Sequence, residues 1–92
     1  MPNIEVYGFT KKAVFDKIVN IVKENFPDEV DDTVITFIDS KVFDLAGESR
    51  PYIRMIHTSN KKAEEMGMVF SRYFEVEVLA LGNYFEIEEI AF

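Results

Sequence analysis

The chain has no cysteine and no tryptophan, only four glycines and three prolines, and a single histidine in 92 residues. Without cysteine there is no disulfide framework and no thiolate nucleophile, and a small secreted fold stapled by bridges is excluded. The chain is 48% hydrophobic and 29% charged, ordinary usage for a globular protein. Basic residues are also scarce, ten against seventeen acidic, for a net charge of −7. A surface of that sign repels phosphate backbones, so no nucleic-acid partner is expected. No apolar run approaches the roughly 20 residues of a membrane span, and the first residues lack a basic segment leading into an apolar one. The expectation is a soluble cytoplasmic protein, one domain over residues 1–92, with no membrane partner.

What is plentiful is apolar and aromatic: nine phenylalanines and four tyrosines. At this length, such richness points to apolar surface shared between subunits. The acidic stretches PDEVDD and EIEE have neither the ligand order nor the glycine of a calcium loop. They read as solvated surface, and no metal or cofactor is expected.

The chain repeats itself. TKKA (Thr10 to Ala13) and NKKA (Asn60 to Ala63) lie 50 positions apart. Each follows a strand-like run that opens on proline, PNIEVYGF and PYIRMIHT, offset by 49. VITFIDSKVFD from Val34 and VEVLALGNYFE from Val76 match at an offset of 42. These features divide the chain into pseudo-repeats, 2–44 and 51–86, each reading strand, helix, strand, tight turn, short strand.

In the first half Ile4 and Val6 share a strand face. A helix is expected from an N-cap at Thr10 to about Asn25, with Val14, Phe15, Ile18, Val19, Ile21, Val22 and Phe26 forming its apolar stripe. In the second half Ile53 and Met55 repeat the strand face. A helix over Asn60 to Phe74 turns Met66, Val69, Phe70 and Tyr73 inward, and Gly67 within it costs about 1 kcal/mol relative to alanine. Phe74 to Leu81 is a strand, and Asn83 to Ile90 a tail strand.

The fold class is α+β. A duplicated β-α-β gives a four-stranded mixed sheet with two helices on one face and short turn-strands. The other sheet face is left for a second subunit, together with Tyr84, Phe85, Ile87, Ile90 and Phe92 of the tail. A ferredoxin-like domain, serving as a small-ligand-binding or regulatory module, has the same element order and is the competing fold.

Pro2 stands where the first strand begins. A strand's first position tolerates a missing N–H, so proline can serve there structurally. Methionine before a small residue is usually trimmed during synthesis, and trimming would leave Pro2 as a secondary amine. Pro2 followed at once by a strand, the duplicated β-α-β, and the stretch FIDSKVFDLAGESRPYIRMIHTS together resemble the tautomerase superfamily, the fold of 4-oxalocrotonate tautomerase and macrophage migration inhibitory factor. The chain is most like a small, little-characterised bacterial branch in which strand one runs into helix one with almost no loop, as GFTKKA does here.

The resemblance implies a homotrimer and an isomerase whose N-terminal proline moves a proton on a small 2-oxo acid or dicarbonyl. Pro2 is then the catalytic base. The strand directions expected of the two halves put His57, Thr58 and Ser59 beside it as substrate-binding residues, with backbone N–H groups there facing a developing enolate oxygen. They also bring Asp31, Asp32 and Thr33 near. Arg54 is a further substrate-binding candidate, while Lys12, Lys41 and Arg50 are other cations available for a substrate carboxylate. A trimer that keeps the fold without catalysis, serving as a scaffold, is the alternative.

Overall fold

A computed structural model describes residues 2–9 and 11–81. Its elements run β1 (Asn3–Tyr7), α1 (Lys12–Asn25), a 3-10 turn (Pro27–Glu29), β2 (Val34–Ile38), β3 (Tyr52–His57), α2 (Asn60–Phe70) and β4 (Val76–Ala80). The four strands form one sheet in the order β2-β1-β3-β4. β1 pairs with β2 and β3 with β4 in parallel, while β1 and β3 run antiparallel at the centre. The fold is therefore α+β with a mixed sheet. Each β-α-β places its two strands side by side, unlike the split unit of a ferredoxin-like sheet, in which another strand intervenes.

Strand alternation decides what each face carries. Ile4 and Val6 lie opposite Met55 and Ile53 across the central ladder. All four are fully buried against Ile18, Ile21 and Val22 of α1 and Met66 and Phe70 of α2. Both helices thus cover the same face.

Several elements differ from the sequence reading. The α1 N-cap is Lys11, in extended conformation and without a side-chain capping bond; Thr10 lies outside the described residues. Phe15 is 40% exposed beside Phe37, because it sits at the edge of the α1 stripe rather than over the sheet. α2 ends at Phe70, and the chain continues in hydrogen-bonded turns in which Tyr73 N–H and Phe74 N–H both reach the Phe70 carbonyl. Tyr73 consequently faces outward, where the Lys17 ammonium lies 5.0 Å from its ring centre. The turn-strand after β2 is a small hairpin closed by a Phe43–Ser49 bridge. Its counterpart over residues 83–90, and the aromatic tail, lie outside the described residues.

The helix-free face is polar at its centre. Arg54 Nε donates to Glu77 Oε1 at 2.6 Å, and its Nη1 lies 3.5 Å from Glu5 Oε1. The Tyr7 hydroxyl donates to the same Glu5 oxygen at 2.9 Å, and its ring stacks on Tyr52 at 4.8 Å. Exposed apolar side chains, Val34 and Leu79, sit toward the edge strands.

Candidate functional site

The site grows from the end of the sheet where β1 begins. The Pro2 carbonyl accepts the Val34 N–H at 3.1 Å, which fastens it to the start of β2. Asn3 is paired with Ile56. One residue further along that antiparallel ladder, Pro2 stands opposite His57. Alternation puts both on the helix-covered face, and both are buried, Pro2 completely. The two halves of the chain therefore meet at these residues, as the strand directions require.

His57 is held from both sides of its ring. The Ser59 N–H donates to Nδ1 at 2.9 Å. That leaves the ring proton on Nε2, which faces Glu29 Oε1 at 3.3 Å. The two side chains are only 6% and 12% exposed. The His57 carbonyl accepts from Leu81 N–H. Ser59 is meanwhile the α2 N-cap, its hydroxyl accepting from Lys62 N–H at 3.3 Å. One imidazole thus ties together β3, the start of α2 and the 3-10 turn.

Glu29 is the residue that sequence reasoning missed. Pro27 opens the 3-10 turn at a position where its missing N–H is harmless. The turn is then locked by Thr33, whose hydroxyl and N–H both donate to the Glu29 carbonyl, at 2.6 and 3.0 Å. This winding aims Glu29 inward, while Asp31 and Asp32 stay exposed. Asp28 also points outward and takes the Lys62 ammonium at 3.3 Å. That hydrogen bond is the main cause of a raised Lys62 pKa, and the charges of Asp28 and Glu29 add to it.

Of the predicted residues, the structure brings together Pro2, His57 and Ser59, with Thr58 half-buried between the last two. Arg54 does not join them. It is three residues from His57 on one strand, so it projects from the opposite face, where Glu5 and Glu77 occupy its guanidinium. Arg50 is likewise taken up, by Asp44 and Glu48 in the hairpin. Neither ring nitrogen of His57 is free, and the Ser59 N–H is already used, so neither can serve as an open donor. A cavity of about 70 Å³ lies nearby between α1 and β2, lined by Val19, Val22, Lys23, Val30, Thr33 and Ile35. Pro2 and His57 do not line it. Among the described residues no group of three or more histidines and carboxylates is gathered as a metal site would need, and no helix is long and apolar enough to cross a membrane.

No protein-family model and no curated protein matches the chain. Its fold is similar to the crystal structure of a domain of unknown function, DUF1904, from Sebaldella termitidis ATCC 33386. The TM-score is 0.56 at 17% identity, with 100% of this chain and 94% of that one covered. That likeness concerns the fold alone.

Proposed function

We propose that the protein is a cytoplasmic tautomerase, a homotrimeric isomerase in which Pro2, freed by removal of Met1, transfers a proton on a small 2-oxo acid or related dicarbonyl. The observation that carries this reading is the setting of Pro2: fully buried at the head of β1 and facing a buried histidine–carboxylate pair. While Met1 is attached, the Pro2 nitrogen is an amide and has no basicity. Once Met1 is removed it is a secondary amine.

Burial disfavours the charged form of such an amine, which brings its pKa toward neutrality. That is where a proton-transferring base works best. Ketonisation of an enol needs nothing more: one proton leaves the enol oxygen, one reaches the adjacent carbon, and no electrons are exchanged with a partner. The test compares processed wild type with Pro2→Ala on phenylenolpyruvate or 2-hydroxymuconate. A loss of roughly 100-fold is expected for a removed general base, and equal activity overturns the assignment.

The complete burial of Pro2 also favours a second reading, a trimeric scaffold of the same fold without turnover. Processed protein that forms trimers but is inert toward both substrates supports it.

A further inference from the structure

The Glu29 carboxylate is nearly buried, yet its ion-pair partner is an imidazole whose hydrogen bonds define the neutral ring. Among the described residues, no lysine or arginine nitrogen lies within ion-pair distance of it; Lys62 of the adjoining α2 is committed to Asp28. A buried negative charge without a cation is costly, and proteins normally supply one. The chain offers a candidate in the right place. Directly opposite His57 is Pro2, whose freed amine would be a cation when protonated.

We propose that Glu29, held near Pro2 by its bond to His57, is the counter-charge of the mature N-terminus, a positioning residue whose carboxylate favours the protonated Pro2 amine. The inference rests on the reading that Met1 is removed. Side chains directly opposite in an antiparallel pair have β-carbons about 5 Å apart, so His57 packs beside the proline, and Glu29 Oε1 lies 3.3 Å from the His57 Nε2. The other charged groups around this corner are Asp28 with Lys62, the exposed Asp31 and Asp32, and Lys23 of α1 by the neighbouring cavity. None of the charged residues on β1, β3 or β4 shares this face: Glu5, Arg54 and Glu77 lie on the other. Two effects then oppose each other at Pro2. Burial favours the neutral amine, and Glu29 favours the charged one.

The test titrates the Pro2 amine directly, by NMR on isotope-labelled proline, in protein from which methionine aminopeptidase has removed Met1, verified by mass. The Pro2 amine of Glu29→Gln, whose amide preserves the bond to His57, is expected to titrate about one pH unit lower than in wild type. Glu29→Asp keeps the charge and titrates between the two, which secures the result if the Gln variant folds poorly. Asp28→Asn removes an exposed acid two-thirds open to solvent and leaves the titration where it was. Unchanged titration in Glu29→Gln and Glu29→Asp overturns the pairing. Enzyme assays on the same samples separate the two claims. A shifted titration in inert protein keeps the pairing and defeats the tautomerase reading, whereas Pro2-dependent turnover with unshifted titration does the reverse.

Discussion

Gly67 of α2 lies directly against Val78 of β4: a β-carbon built on Gly67 would overlap Val78 Cγ2. Helix propensity alone favours alanine here by about 1 kcal/mol. Overpacking at a close contact costs about 1–3 kcal/mol, and the overlapping atom belongs to a branched side chain that cannot swing far. Gly67→Ala is therefore expected to destabilise the fold by about 1 kcal/mol net. Val78→Ala introduced into that background should recover most of the loss, as a urea-denaturation double-mutant cycle would show. A more stable Gly67→Ala protein would mean that propensity wins and that the contact relaxes freely.

This glycine illustrates what could and could not be read in advance. The duplication was legible because its apolar spacing repeats: Ile4 and Val6, then Ile53 and Met55, meet in one ladder over both helices. Periodicity placed Gly67 in a helix but carried no information about how closely β4 approaches. Glu29 was hidden for a similar reason. It belongs to an acidic run, and composition does not say which acid a proline-initiated turn will aim inward. The Thr33 bonds that settle the matter are local, four residues on. Arg54 was assigned to the site although the sequence already argued against it. A spacing of three along a strand puts it across the sheet from His57, and simple alternation already separates the two.

The hairpin after β2 is organised by Asp44. Its carboxylate accepts the Ala46 and Glu48 N–H groups and the Arg50 guanidinium, at 2.9, 3.0 and 2.8 Å. These bonds, the one from Arg50 first, hold its pKa below the usual aspartate value. A carboxyl with a depressed folded pKa stabilises above its unfolded value, near 3.9, and loses that contribution as pH falls through the depressed one. Amide exchange at Ala46 and Glu48 should stay slow to below pH 4 or so, then quicken. In Asp44→Asn it should be several-fold faster at neutral pH. Identical protection in the two proteins would show that the backbone bonds of the turn suffice.

Tyr7 titrates above the ordinary phenol value, first because its hydroxyl donates to Glu5, with burial and the Glu5 charge adding and Arg54 opposing. Its contribution to stability is present below about pH 10 and is lost as pH rises through the higher folded value. Removing the acceptor charge in Glu5→Gln should bring the Tyr7 phenol down toward its ordinary value, as ultraviolet titration against Tyr7→Phe would show. An unmoved titration contradicts the assigned bond.

The proposed trimer is open to a direct check. Light scattering on untagged protein at micromolar concentration is expected to give three times the mass of the 10.7 kDa chain. The apolar rim of the helix-free face, with Val34 and Leu79, is the surface expected to be covered. Leu79→Glu should weaken the assembly while leaving the secondary structure intact. A stable wild-type monomer would remove the trimer from the account.

The measurement that bears most directly on Pro2 as the proton-transferring base changes one bond and no side chain of the site. The same protein is prepared with Met1 retained and with Met1 removed, and both are assayed for phenylenolpyruvate ketonisation at equal concentration. The retained form has an amide at Pro2 and the processed form an amine. The account predicts turnover only in the processed form, exceeding the other by roughly 100-fold or more, with an acid limb that follows the Pro2 titration. Equal rates in the two forms, or none in either, would contradict it and leave Pro2 as the residue that starts a strand.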